Sequence, residues 1–292
     1  MTTTFRTILF PTDFTADSRA AYESVIGLAR TDGARVIAIH SVLTGASNEE
    51  VNAARAALEA ATACADANLA IERRIVRAPA PDVGILDTAR ESKVDLIALA
   101  THGHRGIRHA LLGSVAERVV QLAPCSVFTV RHAARPLDPS RIECIVCAVD
   151  FSEPSKSALE AAVALAENRS ARLVALHVVE PVIYPVEYGM VAVSVAELER
   201  GAVARAREEL AKLLASVVKG SVRAQACVES GAAFEVICDR ARAERADVIV
   251  VATHGLTGLK HLLIGSTAER VVRTADRPVL TVKPQGIGIR GG

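Results

Sequence analysis

The sequence contains no tryptophan, and aromatic residues make up only 3% of its 292 positions. Proteins that bind single-stranded nucleic acid stack bases on aromatic rings, and proteins that bind duplexes concentrate positive charge. The formal net charge is +1, so neither kind of nucleic-acid partner is expected. No apolar run approaches the roughly 20 residues that span a bilayer, and no signal-peptide pattern opens the chain. We therefore expect a cytoplasmic protein with no membrane partner.

Cysteine is also sparse, with six residues scattered along the chain. Cys144 and Cys147 have the CxxC spacing of many metal and redox sites. They lie inside an apolar run, 142–149, that is typical of a strand, where residues three apart face opposite sides of the sheet. The sequence therefore predicts buried, reduced thiols of the kind found in cytosolic proteins, and no metal site.

What the chain does contain is one motif written twice. Residues 100–120 read ATHGHRGIRHALLGSVAERVV, and residues 252–272 read ATHGLTGLKHLLIGSTAERVV; eight of the last ten positions are identical. Each copy follows a short apolar run, DLIAL at 95–99 or DVIVV at 247–251, which is typical of a buried parallel strand. The repeated unit is therefore a strand, a glycine-containing loop and the start of a helix.

The helix start in each copy opens with Gly-Ser, at Gly113-Ser114 and at Gly265-Ser266. Backbone N–H groups at such a start, with roughly half a positive charge from the helix dipole, form a site for a phosphate. The alternative is structural: SVAE and STAE are also capping boxes, and the glycines permit a tight turn. The duplication favours the phosphate site.

Strands and helices alternate in both halves, which predicts an α/β fold with two doubly wound, five-stranded parallel sheets. The first half has predicted strands at 6–10, 35–42, 69–76, 95–99 and 126–131 and helices at 16–30, 48–67, 82–91 and 114–122. The second half has predicted strands at 142–149, 172–179, 221–228, 247–251 and 279–283 and helices that include 155–168 and 234–243. Residues 133–140, with two prolines, are the predicted linker between domains 1–134 and 141–285, and the tail 285–292 should be disordered.

The two halves differ by one insertion. Asp13 and Asp150 are 137 positions apart, as are His40 and His177, whereas Gly103 and Gly255 are 152 apart. The second half therefore gains 152 − 137 = 15 residues after its second strand. The extra segment is a proline- and tyrosine-containing loop at 180–193, before a long helix.

Asp13 and Asp150 each follow the first strand of their half. With the strand order 3-2-1-4-5, they meet the glycine loop in the crevice where the strand order reverses. A carboxylate repels a triphosphate, so each Asp belongs at the sugar or base end of a nucleotide, where it accepts hydrogen bonds. The alternative, that each Asp only caps the first helix, stays open.

These motifs resemble the universal stress protein family, with two such domains covering nearly the whole chain. The ATP-binding branch of that family is marked by G-x-x-G, nine residues, then G-[S/T]. The first half matches from Gly103 to Gly113-Ser114 and the second from Gly255 to Gly265-Ser266, with alanine instead of the first glycine in both. A further family glycine, after the third strand, corresponds to Gly231, and the first half has RAPAP at 77–81 instead. The second half is therefore the closer match.

The resemblance implies an adenine-nucleotide alpha-hydrolase-like fold and ATP as the ligand, with Mg²⁺ as an accompanying ion left open. In the first half it implies nucleotide contacts from Asp13, Ser41, Gly103, Gly113, Ser114 and Val115. In the second half it implies contacts from Asp150, Val178, Gly231, Gly255, Gly265, Ser266 and Thr267. The adenine-side positions, Ser41 and Val178, lie near the end of the second strand, where an ordinary strand end is an equal alternative.

The family implies a regulatory role in stress responses, with a protein partner that the sequence does not identify. Two alternatives stay open: a slow ATP hydrolase, and a stress protein that binds no nucleotide and acts through partners. No pair of catalytic carboxylates, nucleophile with its base, or P-loop lysine emerges from the sequence, so any ATPase activity should be weak. The family commonly pairs domains through the fifth strand, which predicts an intramolecular pseudo-dimer joining 126–131 to 279–283 and leaves a further homodimer open.

Overall fold

The computed structural model of the protein describes residues 5–64, 68–101, 112–131, 141–180, 191–253 and 264–283, and the side chains of 191–199 are not among them. The first half contains β1 (Thr7–Pro11), α1 (Ala16–Asp32), β2 (Arg35–Leu43), α2 (Asn48–Ala61), β3 (Ile71–Ala78), α3 (Pro81–Glu91), β4 (Leu96–Ala100), α4 (Ser114–Leu122) and β5 (Ser126–Val130). The second half contains β6 (Cys144–Ala148), α5 (Glu153–Arg169), β7 (Arg172–Val179), α6 (Val191–Val217), β8 (Arg223–Ser230), α7 (Ala233–Ala243), β9 (Val248–Ala252), α8 (Ser266–Thr274) and β10 (Val279–Val282).

The strands form one ten-stranded sheet in the order β3-β2-β1-β4-β5-β10-β9-β6-β7-β8. Within each half the strands are parallel and follow the order 3-2-1-4-5, which confirms the predicted fold. The halves meet where β5 runs antiparallel to β10, with Phe128 opposite Leu280. The predicted pairing of the fifth strands is therefore confirmed, and each covers the other's edge.

Helices cover both faces of this sheet, and the strands are buried between them. One apolar layer packs under α1, α2, α5 and α6 and the other under α3, α4, α7 and α8, and both layers run through the two halves. Cys144 belongs to one layer and Cys147 to the other, as the strand period requires. Burial raises the pKa of the Cys144 thiol to about 11, and both thiols are free.

Two cationic side chains reach across the seam between the halves, which is the junction of β5 and β10. Lys283 Nζ donates hydrogen bonds to the carbonyls of Gln121 at 3.1 Å and Ala123 at 2.5 Å, at the end of α4. Arg131, its equivalent 283 − 152 = 131, donates to two carbonyls at the end of α8, both at 3.3 Å. Each half thus supplies a positive charge at the negative end of the other half's repeated helix.

A buried ion pair also joins the halves. Arg169 Nη2 lies 2.7 Å from Asp32 Oδ1, and their side chains are only 3% and 2% exposed. These two positions are equivalent, since 32 + 137 = 169. Burial raises the pKa of Asp32, and the neighbouring Arg169 opposes that rise. The seam therefore contains one pair of equivalent positions with opposite charges.

Several element boundaries differ from the sequence-based expectations. The helix predicted over 48–67 ends at Ala61, because the Thr62 carbonyl beyond it accepts hydrogen bonds from Tyr22 and Arg73, both at 2.8 Å. The helix predicted to begin at Ser155 begins at Glu153, because the Ser152 side chain caps it. The third strand of each half lies two residues later than predicted, at 71–78 and 223–230.

The fourth strands begin one residue later than predicted because the preceding aspartates have another task. Asp95 accepts hydrogen bonds from the backbone N–H of Arg6 at 2.9 Å and of Thr7 at 3.2 Å, and so fixes the start of β1. Asp247 does the same for β6 through the N–H groups of Glu143 at 2.8 Å and Cys144 at 3.1 Å. The predicted linker 133–140, the tail 285–292 and most of the loop 180–193 lie outside the described residues.

Candidate nucleotide site

The candidate site of each half lies at the carboxyl ends of the strands. In the first half β1 pairs with β2 on one side and with β4 on the other, so the strand order reverses between β1 and β4. The connection after β1 leads to α1 on one face, and the connection after β4 leads to α4 on the other. In open α/β sheets this reversal opens a crevice in which ligands bind. The second half has the same reversal between β6 and β9.

Asp13 stands in the turn between β1 and α1, held by two hydroxyl groups. Its Oδ1 accepts hydrogen bonds from Ser18 Oγ at 2.5 Å and from Thr15 Oγ1 at 2.6 Å. The cap of α1 is Thr15, whose side chain accepts from the Ser18 N–H. The alternative that Asp13 caps the helix is therefore wrong: Asp13 orients the residue that does.

Asp150 stands in the equivalent turn of the second half, held by one hydroxyl group and one backbone N–H. Its Oδ1 accepts from Ser152 Oγ at 2.5 Å and from the Ser152 N–H at 3.0 Å, and Ser152 caps α5. The residue after each Asp adopts a left-handed backbone, with φ of 66° at Phe14 and 64° at Phe151. Such a conformation is strained for a bulky residue, and strain of this kind concentrates at functional turns.

Two histidines hold these turns, a role that their equivalent positions in the sequence did not indicate. His40 Nδ1 donates to the Thr12 carbonyl at 2.8 Å, and the His40 ring stacks on Phe14 with centroids 4.3 Å apart. His177 donates to the Val149 carbonyl at 2.8 Å and lies 4.4 Å from the Phe151 ring. The equal spacing of 137 positions was the signal that could have linked each histidine to its aspartate.

The Gly-Ser helix starts differ from the capping boxes that their sequence suggests. The caps of α4 and α8 are Gly113 and Gly265, neither has a side-chain cap hydrogen bond, and Ser114 and Ser266 are the first helical residues. Glu269 pairs with Arg273 at 2.7 Å instead of reaching back to the cap. The capping-box interpretation is therefore wrong for both helices.

The backbone at these starts is only partly available to a ligand. The Gly113 N–H donates to the Thr101 carbonyl at 2.8 Å, and the Gly265 N–H donates to the Thr253 carbonyl at 2.7 Å. These bonds tie each helix start to the end of the fourth strand. The N–H groups of the first three helical residues have no acceptor within a helix, and they include those of Ser114, Val115, Ser266 and Thr267.

Gly103 and Gly255 lie outside the described residues, within 102–111 and 254–263. The described residues on either side of them are joined, because the Thr101 carbonyl accepts a hydrogen bond from Gly113 and the Thr253 carbonyl accepts one from Gly265. Thr101 and Thr253 therefore lie beside the starts of α4 and α8.

The two adenine-side positions have different surroundings. Ser41 lies opposite Val76 in the sheet, and a Cβ on Gly84 of α3 would come within 2.9 Å of Ser41 Oγ. Glycine thus lets α3 approach β2 closely. In the second half Val178 takes the place of Ser41, and Val236 (84 + 152) takes the place of Gly84.

Gly231 occupies the turn between β8 and α7, where its backbone requires glycine. Its φ is 146°, and an added Cβ would lie 2.8 Å from Val236 Cγ2. Its N–H donates to the Val179 carbonyl at 3.1 Å, next to Val178. The equivalent position in the first half, 231 − 152 = 79, is Pro79, so the two turns differ.

The described residues are suited to binding by hydrogen bonds and backbone dipoles. Among them, no group of three or more His, Cys, Asp or Glu side chains is arranged to hold a metal ion. None of the helices described for the chain has the length and apolar character needed to cross a membrane.

Known proteins share this architecture. The profile of the universal stress protein family matches twice, at residues 4–131 and 142–283. Universal stress protein MJ0531 of Methanocaldococcus jannaschii is 33% identical over 142 residues, covering 48% of this chain and 81% of its own. Universal stress protein Rv2005c of Mycobacterium tuberculosis is 25% identical over 239 residues, covering 80% and 75%.

The crystal structure of a universal stress protein from Archaeoglobus fulgidus shares the fold of the whole chain. Its TM-score is 0.62 at 20% identity, and the match covers 95% of this chain and 96% of that one. With its profile matched in both halves and the strand order repeated, the chain belongs to the universal stress protein family, with two domains in tandem.

Proposed function

We propose that the protein binds ATP at the carboxyl edge of one or both domains and acts as a regulatory protein in a stress response. One observation supports this most directly: each half sets a hydroxyl-held aspartate and a Gly-Ser helix start on neighbouring strands of one crevice. The aspartate suits hydroxyl or amine donors, and the helix start suits phosphates. A nucleotide is a ligand that has both.

In this proposal the triphosphate lies against the N–H groups of Ser114 and Val115, or of Ser266 and Thr267. The ribose lies toward Asp13 or Asp150, and the adenine lies beside Ser41 or Val178. Gly113 and Gly265 have no side chain to occupy this path, and the resemblance to the family adds Gly103 and Gly255 as expected phosphate-binding positions. The alanine that replaces the first family glycine adds one methyl group and removes no donor.

The second domain is the proposed stronger site, because Gly231 lets the β8–α7 turn adopt a backbone that Pro79 cannot. A slow hydrolase is the second candidate. Hydrolysis needs a group that activates water, whereas in the proposal above Asp13 and Asp150 bind the sugar. A stress protein that acts through an unidentified protein partner without nucleotide is the third.

The deciding experiment is mass spectrometry of any small molecule released when the purified protein is denatured, followed by calorimetric titration with ATP. Recovered adenine nucleotide and saturable binding are the expected results. If the protein binds no adenine nucleotide with or without Mg²⁺, this function is excluded. Phosphate release above a control without protein would favour the hydrolase.

A further inference from the structure

The first turns of the third and fourth helices contact each other differently in the two domains. In the first domain Asp82 of α3 faces Arg118 of α4, with Oδ2 and Nε 2.9 Å apart. The Asp82 side chain is 7% exposed and that of Arg118 is 59% exposed. The contact is an ion pair without the alignment of a hydrogen bond, because Asp82 Oδ2 has no hydrogen-bond partner among the described residues.

In the second domain an aromatic ring replaces the carboxylate. The equivalent positions, 82 + 152 = 234 and 118 + 152 = 270, are Phe234 and Arg270, and the Arg270 guanidinium lies 3.9 Å from the centre of the Phe234 ring. Stacking uses the flat face of a guanidinium and leaves its N–H donors, which lie in the plane, available. Within the described part of the chain, no carboxylate pairs with Arg270.

The position of Arg270 in α8 favours contact with a phosphate bound at the start of that helix. It lies one helical turn after Ser266, so both residues are on the same side of α8. Long side chains in helices lean toward the amino end, which here is the candidate phosphate site. Phe234 lies in the first turn of α7 and supports the guanidinium at the same edge of the sheet.

In the second domain a different residue, away from position 234, places a carboxylate at the start of the third helix. Glu180, just after β7, accepts a hydrogen bond from the Ala233 N–H at 3.3 Å, at the start of α7. A negative charge is favourable there, as Asp82 is in the first turn of α3. Glu180 therefore supplies a negative charge at the start of α7, and no carboxylate among the described residues neutralises Arg270.

We propose that Arg270 binds the β- and γ-phosphates and makes the second domain selective for nucleoside di- and triphosphates, while Asp82 neutralises the matching Arg118. This inference rests on the proposed nucleotide binding. Arg270 contributes a full positive charge beside the phosphates, whereas Arg118 arrives already paired with an anion. The two domains should therefore differ in how strongly affinity depends on the number of phosphates.

The test measures each site alone, by calorimetry on full-length protein in which Gly113→Val or Gly265→Val closes the other site. Arg270→Gln should weaken ATP binding at the second site about 10-fold, because it removes bonds to a charged group. The same variant should leave adenosine affinity unchanged, which a general distortion of the site would not. The matched Arg118→Gln should change ATP affinity at the first site less than about 2-fold.

A reciprocal exchange tests the cause of the difference. Phe234→Asp should pair Arg270 and lower the preference of the second site for ATP over AMP. Asp82→Phe, or Asp82→Asn if the larger ring disturbs the fold, should release Arg118 and raise that preference at the first site.

Two outcomes would overturn the inference, and they are distinguishable. ATP that binds the second site with equal affinity in the parent and in Arg270→Gln would exclude the role of Arg270 and leave the proposed function intact. Failure of ATP and AMP to bind either parent site would remove the inference and the proposed function together.

Discussion

The two domains agree in their backbone and differ in the walls of their candidate sites. Both hold an aspartate in the turn before the first helix, pack a histidine ring against a phenylalanine with a left-handed backbone and begin the fourth helix at Gly-Ser. They differ at the start of the third helix of each half, where the first domain has Pro79 and Asp82 and the second has Gly231 and Phe234 at the equivalent positions. The duplication has thus kept the frame that presents backbone donors. It has changed the side chains that decide which ligand each frame favours.

The seam between the domains shows the same division. The crossing cations Arg131 and Lys283 are alike in charge and task, as expected of equivalent positions around a two-fold axis. Asp32 and Arg169 are also equivalent but carry opposite charges. Two identical domains would place like charges at these positions, so the Asp32–Arg169 ion pair favours the association of two different domains.

The largest expected effect comes from breaking that pair. Arg169→Met leaves the Asp32 carboxylate buried without its cation and should lower the free energy of unfolding by about 3–5 kcal/mol. The double variant Asp32→Leu with Arg169→Met should recover most of this loss. Urea denaturation checks both, and a loss below about 1 kcal/mol for the single variant would contradict the assignment.

The same variant has a defined pH dependence. Burial raises the pKa of Asp32 above its unfolded value, and Arg169 opposes the rise. A carboxyl group with a raised folded pKa binds more protons when folded, so its destabilising effect is present above that pKa and is relieved as the pH falls through it. Relative to the parent, Arg169→Met should therefore lose less stability at acidic than at neutral pH.

The next effect sharpens the comparison of the two sites. Gly265→Val places a branched side chain at the start of α8, along the proposed path of the phosphates, and should weaken ATP binding at the second site about 100-fold, the upper range of a steric clash. Gly265 has φ of −58° and ψ of 140°, values that valine also adopts, so the fold should persist. Calorimetry should show a smaller loss of total binding for the matched Gly113→Val, and equal losses would remove the proposed asymmetry.

A smaller effect is expected at the turn that distinguishes the domains. Gly231→Ala forces a Cβ onto a backbone with φ of 146° and against Val236, and should lower stability by roughly 2 kcal/mol. Pro79→Ala at the equivalent position meets no such demand and should cost well under that. Thermal denaturation of the two variants side by side measures both losses of stability, and equal losses would contradict this account.

The strand order and the joined fifth strands could be predicted because they depend on patterns that the sequence repeats. Apolar runs mark the strands, and the equal spacings align the halves. The ends of elements were less accessible, because they depend on contacts between distant residues. Helix α2 stops where Tyr22 and Arg73 bind the Thr62 carbonyl, and neither residue lies within α2.

The site shows where local motifs mislead. SVAE and STAE fit a capping box, yet the residue that precedes each serine takes the cap position, because its N–H bonds to the end of the fourth strand. The difference between Asp82 and Phe234 is visible in the sequence. The arginine that each contacts is not, because it lies thirty-six positions further along the chain (118 − 82 and 270 − 234). Contacts between two helices need the fold before they can be recognised.

The smallest expected effect separates the two tasks that the Ser266 hydroxyl could have. Because Gly265 is the cap of α8, Ser266→Ala removes no capping bond and should change stability by less than about 0.5 kcal/mol, since alanine is the best helix former. If the hydroxyl binds phosphate, the same variant should weaken ATP binding at the second site about 10-fold, as expected for a bond to a charged group. Ser266→Gly also lacks the hydroxyl and should weaken ATP binding equally, while its poorer helix propensity lowers stability by up to about 1 kcal/mol more, the value for a helix interior. The ATP affinity measured by calorimetry and the stability measured by thermal denaturation should therefore change independently in the two variants. Should both bind ATP as the parent does, the phosphates are held by the backbone N–H groups of α8 and by Arg270, and the hydroxyl has no part in binding.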